Sequence, residues 1–465
     1  MDRPRQAAAQ SIHEVFNSTP FGACQWAVFI LCFLVTAIEG FDTTIVGFIA
    51  PAISVEWSLP KFALAPLIGT GLAGILLGSI GGGMLGDRLG RKWVGAAAIA
   101  WFGLTSLASS EAMSVSQLVV WRFVTGVGVG AAMPVMSALV AEYCSDKARS
   151  AMLAATFCGF LFGAAAAGFA TAALIGFVEW RGMLALSGAL PIVVLVAFVW
   201  RVPESPRHML VRARPREAIE RAMTRVFPSV DLSSLVYAGE VRATVDGKQV
   251  GLLSRAYRAG TLLTWSAEFC GYLVFFLVGS WLPSHLRLQG LSMVAASQLS
   301  SMFQFGALGG AVLFAWAVRR SNVAAVAACA FGVGVVMMVA LGCLESQRWY
   351  AGVVFMAGLT VGGPLICINT ISGVFYPTSL RASGGGWTLA VGRFGSIVGS
   401  VLIGFIVSWG GPFSAVCMLL AAPLLLACAA MARMRVELDR VADNVGSRLA
   451  DRVANHSLTS AESNQ

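Results

Sequence analysis

Apolar runs of about 18–25 residues recur along the whole chain, each as long as an α-helix must be to cross the hydrocarbon core of a bilayer. No other feature constrains the fold as strongly, because in lipid every backbone N–H and C=O must be satisfied within the protein. A β-barrel is excluded: it would be written in short alternating segments, and these runs are continuous. Twelve spans are expected, at about 24–52, 62–85, 93–110, 114–143, 151–177, 182–201, 260–286, 292–318, 322–343, 349–376, 383–408 and 411–433. Charged residues make up only 12% of the 465, against roughly 25% in soluble domains, so an all-α membrane protein is the expected fold class.

An even number of spans leaves both ends of the chain on one side, and Lys and Arg choose that side. Of the 32 such residues, only Lys61, Arg181, Arg287 and Arg348 fall in loops of the far side, and only Arg122 and Arg393 fall inside spans. The positive-inside rule then makes the termini cytoplasmic. The net charge of +9 is a topology signal, and with no soluble basic domain to carry it no nucleic-acid partner is expected. The chain divides into a cytoplasmic N-terminal segment (1–23), a first six-helix bundle (24–201), a cytoplasmic central loop (202–259), a second bundle (260–433) and a cytoplasmic tail (434–465). The N-terminal segment has no apolar core, so no cleavable signal peptide is expected. The central "RHMLVRARPREAIERAMTRVF" is Arg-rich and reads as an amphipathic helix along the membrane surface. The tail could form another such helix before its polar, disordered end. Ten scattered cysteines read as small buried hydrophobes, and the four histidines do not cluster, so no metal or cofactor is expected.

The two halves repeat each other. "EYCSDKARS" (Glu142 to Ser150) follows the fourth span and "FYPTSLRAS" (Phe375 to Ser383) the tenth; "GGGMLGDRLGRK" closes the second span and a weaker "GGAVLFAWAVRRSN" the eighth. Same-direction repeats imply two six-helix bundles related by a pseudo-two-fold axis along the membrane normal, with a substrate cavity at their interface.

Charges inside spans are costly, so they usually have a partner and a task. In "AIEGFDTTIVGFIAPAI" Glu39 and Asp42 lie i, i+3 on one helix face, and Arg122 of "WRFVTGVGVGAAMP" lies at similar depth on the fourth span. Two opposed acids and one arginine form an expected proton-coupling cluster, with Asp42 the carrier and Glu39 its modulator; a structural salt bridge is the competing reading. Gly126, Gly128 and Gly130 are expected to make one flat packing face. Arg393, amid Gly392, Gly395 and Gly399, is expected to hold an anionic substrate through its planar fork, the glycines leaving space beside it. Phe157, Phe160, Trp281, Phe303 and Trp387 are possible ring contacts, although helix packing accounts for most aromatics in spans. Glu268 is a third intramembrane acid that belongs to no motif, and His285 is expected to face water. Asp87, Arg88, Arg91 and Lys92 make a charged turn at the inner surface, with Glu142 a plausible neighbour.

Together these motifs resemble the aromatic acid:proton symporter family of the major facilitator superfamily. The resemblance rests on Glu39-Gly-Phe-Asp42, the Gly-x-x-Asp-Arg-x-Gly-Arg-Lys loop, "RFVTGVGVGAAMP…AEYC", "PESPR" and "YPTSLRASGGGWTLAVGRFG". It implies the major facilitator fold and proton-driven uptake of benzoate-, hydroxybenzoate- or phenylpropionate-type acids across a bacterial cytoplasmic membrane. The proton is then the coupling ion; separately, a monomer is expected. It implies a cytoplasmic latch formed by Asp87, Arg88, Arg91 and Glu142, and it supports roles for Glu39, Asp42, Arg122 and Arg393. Two departures stand out: Glu39 replaces the usual Asp, and the second half offers only Arg319 and Arg320 where an acid is expected. An exporter, an exchanger, a carrier of another organic anion and a substrate-binding chemoreceptor are the alternatives. An enzyme is not expected, for no nucleophile–base pair stands out.

Overall fold

The computed structural model describes residues 10–60, 65–228, 230, 235–236, 251–344, 347–376, 378–409 and 412–462. Lys61 and most of the central stretch 229–250 lie outside the described residues. A short α1 (Ile12–Ser18) precedes α2 (Ala23–Glu56), α3 (Ala65–Leu89), α4 (Arg91–Ser110), α5 (Val115–Tyr143) and α6 (Asp146–Arg201). The central segment holds α7 (Pro206–Val211) and α8 (Arg216–Val226). The second half comprises α9 (Arg258–Leu288), α10 (Met293–Ala317), α11 (Val323–Cys343), α12 (Gln347–Gly362), α13 (Leu365–Phe375), α14 (Thr378–Trp409) and α15 (Phe413–Glu462). Two short strands, β1 (Gln10–Ser11) and β2 (Leu235–Val236), pair in parallel.

Two helices depart from one helix per span. In α6 the chain turns at Glu179, whose φ of +57° is rare for a residue with a side chain, so this helix supplies two passes. The turn is held from outside: Trp180 Nε1 donates to the Glu56 carboxylate, Arg181 Nη1 donates to Glu56 Oε1 at 2.5 Å, and the Arg181 guanidinium sits 4.1 Å above the Trp180 ring. Conversely, α12 and α13 form one pass broken at Pro364, which has no N–H to continue the helix. Counted so, the described helices make twelve passes, eleven from the ten helices long and apolar enough to cross a membrane and one from α14, in the two halves of the expected fold.

Small residues set how closely the helices approach, as they must where lipid supplies no hydrophobic drive between helices. On the α2–α6 seam a Cβ on Gly163 would stand 1.6 Å from the Ala37 carbonyl oxygen, and one on Gly40 would stand 2.0 Å from that of Phe160. Thr36 Oγ1 donates to the Thr156 carbonyl across the same seam at 3.0 Å. The glycines of α5 do not share one face: Gly126 and Gly130 pack on α3 at Gly71 and Ile75, whereas Gly128 packs on α4 at Trp101 and Phe102. Residues two apart on an α-helix point about 200° apart, so the middle glycine serves the other neighbour.

The bundles meet through α2 with α9, α3 with α14 and α6 with α10. Gly47 lies against Ser280, Gly168 against Ser301, and the Phe169 and Phe305 rings are 6.0 Å apart. Gly47, Ser280, Gly168 and Ser301 lie in the half of their spans remote from the chain ends, so the bundles touch there. Gly163→Leu should lower the melting temperature in detergent by several degrees, since over-packing costs about 1–3 kcal/mol or more. Gly176→Leu on the same helix, with open space around it, should leave the temperature unchanged. Equal melting of the two variants would contradict this seam.

Candidate functional site

Asp42 and Arg122 meet inside the first bundle. Arg122 donates from Nη1 to Asp42 Oδ1 at 3.1 Å and from Nη2 to Oδ2 at 2.8 Å; the same Nη2 reaches the Asp42 carbonyl at 3.0 Å. Ser106 of α4 donates to Oδ1 at 2.9 Å, and Ser187 of the second arm of α6 donates to the same oxygen. Both charged side chains are buried, with 1% of Asp42 and 4% of Arg122 exposed. A small cleft lined by both charges and Thr43 lies beside them.

Glu39 does not join this pair. It is as buried as Asp42, and its Oε1 has no hydrogen-bond partner. The expected cluster of two acids and one arginine is thus corrected: positions three apart still differ by about 60° around the axis. That angle sends Asp42 into the bundle core and turns Glu39 away from Arg122.

Between the bundles lies a cavity of about 700 Å³, part of it open to solvent. Its wall is largely apolar, with Phe157 and Phe160 of α6 on one side and Tyr272, Phe275 and Phe276 of α9 on the other. Tyr272 and Phe276, one turn apart, stack with centroids 5.8 Å apart and make a flat aromatic wall. Arg393 brings the one charged side chain among the lining residues, and its Nη2 donates across the bundle interface to Met133 Sδ at 2.9 Å. A thioether is a weak acceptor, so this guanidinium retains most of its donor capacity.

Three residues expected as ring contacts are elsewhere. Trp387 is 57% exposed on the outside of α14, 6.1 Å from Trp265. Trp281 packs on Phe413 and His285, and Phe303 is buried beneath Phe275. Hydropathy marks aromatics but not the helix face they occupy, and these three rings serve packing. His285 is likewise stacked on Phe413, with its Nε2 buried, rather than facing water. The wall residues Tyr272 and Phe276 carry an i, i+4 spacing that could have flagged them; Asn369 on α13 carries no comparable signal.

The glycines around Arg393 do not widen the space beside it. Gly395 and Gly399 bring α14 against the backbone of α9 at Phe269 and Leu273, and a Cβ on Gly392 would meet Glu268 Cγ at 2.8 Å. Glu268 is fully buried there, and neither carboxyl oxygen has a hydrogen-bond partner.

At the end of the first bundle nearer the termini, Arg91 pairs with Asp87 at 2.6 Å and with Glu142 at 3.0 Å, while Arg88 is exposed. Glu204 of "PESPR" is part of this cluster: its Oε1 accepts from the backbone N–H of Arg91 at 2.9 Å and of Lys92 at 3.4 Å, capping α4. Gly90, at φ +113°, makes room, since a Cβ would lie 2.5 Å from Glu204 Oε2. Arg212 of the central segment donates twice to the Asp87 carbonyl, at 3.0 and 2.6 Å, and Tyr143 OH donates to the Pro203 carbonyl at 3.0 Å. These contacts all stay within the first half and its central segment.

Removing one member of a buried ion pair strands the other at a cost of about 3–5 kcal/mol. Arg122→Leu should therefore lower thermal stability in detergent sharply, and adding Asp42→Asn should recover part of the loss. A single variant as stable as the parent would contradict the geometry described.

A family model for the Major Facilitator Superfamily matches residues 32–400. The 4-hydroxybenzoate transporter PcaK of Pseudomonas aeruginosa is 36% identical over 437 residues, covering 93% of this chain and 97% of that protein. A gallate transporter of Pseudomonas putida is 36% identical over 412 residues, covering 88% and 92%. Among solved structures, a partially occluded inward-open conformation of the xylose transporter XylE from E. coli superposes with a TM-score of 0.66 at 16% identity, over 88% of this chain and 99% of that one, a likeness of fold. Matched along most of its length, the chain is a multi-pass transporter of the major facilitator superfamily and belongs within it to the aromatic acid:proton symporter family that its motifs resemble.

Proposed function

We propose that the protein imports a small aromatic carboxylate, of benzoate, hydroxybenzoate or phenylpropionate type, in symport with protons across the inner membrane of a bacterium. The observation that carries this reading is Arg393, a single guanidinium facing an aromatic cavity between the bundles. A planar carboxylate matches its fork bidentately, and a ring matches the Phe157, Phe160 and Tyr272 surfaces. The named relatives, both bacterial carriers of hydroxylated benzoic acids, support the same choice. The asymmetry of Lys and Arg supports cytoplasmic chain ends, and with the bundles touching in the remote half of the spans it supports a cytoplasm-facing state.

Asp42 is the proton carrier in this reading. Protonation abolishes the bidentate pair and frees Arg122, which loosens the junction of α2, α4, α5 and α6; deprotonation restores it. Glu39 modulates this step through Arg393. A substrate carboxylate on Arg393 removes the positive field that an ionised Glu39 faces, so cargo and proton communicate across the bundle interface by Coulomb forces. Asp87, Arg88, Arg91 and Glu142 form the cytoplasmic gate that closes when the cavity faces outward. The transporter works as a monomer in the lipid bilayer.

In proteoliposomes, Asp42→Asn should abolish accumulation driven by a pH gradient while exchange of internal for external substrate survives. Concentrative uptake at the parental level in that variant would overturn the assignment. Arg393→Ala should weaken binding of benzoate by roughly 10- to 100-fold, as expected for losing a hydrogen-bonded charge, and leave benzamide nearly unaffected. Equal losses for the acid and the amide would make Arg393 structural.

A further inference from the structure

Besides Arg393, the side chains lining the central cavity include one amide, that of Asn369. It sits one turn past the break at Pro364, on the stretch of α13 where Leu365 and Ile366 also face the cavity. Its Nδ2 donates to the Leu365 carbonyl at 3.1 Å. A carbonyl oxygen only accepts, so the amide nitrogen must be the atom turned toward it, and the orientation of the group is fixed. Its Oδ1 is left without a hydrogen-bond partner and is not sealed in the protein. The cavity thus has a donor-only group in Arg393 and, in Asn369 Oδ1, an acceptor-only atom.

We propose that Asn369 is the specificity-determining residue for a ring hydroxyl of the cargo, accepting its hydrogen bond while Arg393 holds the carboxylate. This rests on the reading of the cavity as an aromatic acid site, and it narrows the substrate class to phenolic monocarboxylates. A phenol O–H satisfies Oδ1. A second carboxylate, a methyl ether or a bare ring carbon does not, and a second carboxylate is repelled as well. The preference is a difference in hydrogen bonding, because a site built to bond a hydroxyl leaves its own polar atom unpaired when the hydroxyl is missing. Tyr272 OH is the other hydroxyl at the cavity; as both donor and acceptor it cannot tell a phenol from its methyl ether by this rule.

The experiment is equilibrium binding to the purified full-length protein in detergent of four probes: benzoate, 3-hydroxybenzoate, 4-hydroxybenzoate and 4-methoxybenzoate. The parent should bind the better hydroxybenzoate roughly three- to tenfold more tightly than benzoate or the methyl ether, the range for one neutral hydrogen bond. Asn369→Leu, close in volume, should erase that preference, with benzoate bound as tightly as by the parent or more tightly because no polar atom is left unpaired; benzoate binding also shows that the variant is folded. Tyr272→Phe should keep the preference. Should Asn369→Leu fail to fold, Asn369→Ala makes the same comparison and should likewise bind benzoate and the hydroxybenzoates alike. No such discrimination, a preference that survives Asn369→Leu, or one that disappears in Tyr272→Phe alone would overturn the proposal. If the parent binds none of the four acids, the aromatic-acid reading itself falls, an outcome distinct from binding all four equally well.

Discussion

The ion pair between Asp42 and Arg122 is the interaction on which the first bundle is organised. Four helices reach one carboxylate: α2 supplies it, α5 the guanidinium, and α4 and α6 a serine each. Burying two charges is expensive and is tolerated where geometry and further hydrogen bonds satisfy them together. Here the fork meets both oxygens, and the serines take up remaining lone pairs. The same pair fixes the rotation of α2 about its axis, and that rotation turns Glu39 away from Arg122.

The charges are then divided between the bundles. The first holds the acid that exchanges a proton in the proposed cycle, and the second holds the cation proposed to bind the cargo. Glu39 and Arg393 span the division. The glycine and threonine seams pack α2 against α6 and α9 against α14 backbone to backbone, which suits whole bundles to move as units in the proposed cycle. The cluster around Glu204 extends this rigidity to the membrane surface: α3, α4, α5 and the central segment are tied by one carboxylate, one tyrosine and one backbone carbonyl.

The spans were legible because lipid leaves few alternatives to a helix of the right length, and the repeat was legible because it reuses a buried tyrosine. Tyr143 and Tyr376 are both almost fully buried at equivalent helix ends, the first donating to Pro203 and the second within 2.8 Å of Thr261 Oγ1. The continuity of α15 from its span through Glu462, and the turn of α6 at Glu179 with no separate loop, were not legible, since hydropathy marks where lipid ends and not where a helix does. Charged site residues were found because a charge in a span is conspicuous. Orientation was the missing quantity. Spacing along one helix does not reveal which neighbour lies opposite, so the sequence groups Glu39 with Arg122 and leaves Trp387 a possible ring contact. The role of Glu204 was hidden for the same reason: "PESPR" reads locally as a stop, and its carboxylate acts on a helix more than a hundred residues earlier.

The central claim is that cargo and proton move together. Proton flux measured with a pH-sensitive dye in lightly buffered proteoliposomes, on adding an aromatic acid outside, tests it most directly. The account requires external alkalinisation that follows the uptake of labelled acid in time and saturates with it. Uptake of the acid with no accompanying proton movement, once leak of the uncharged acid is subtracted using protein-free vesicles, would contradict it.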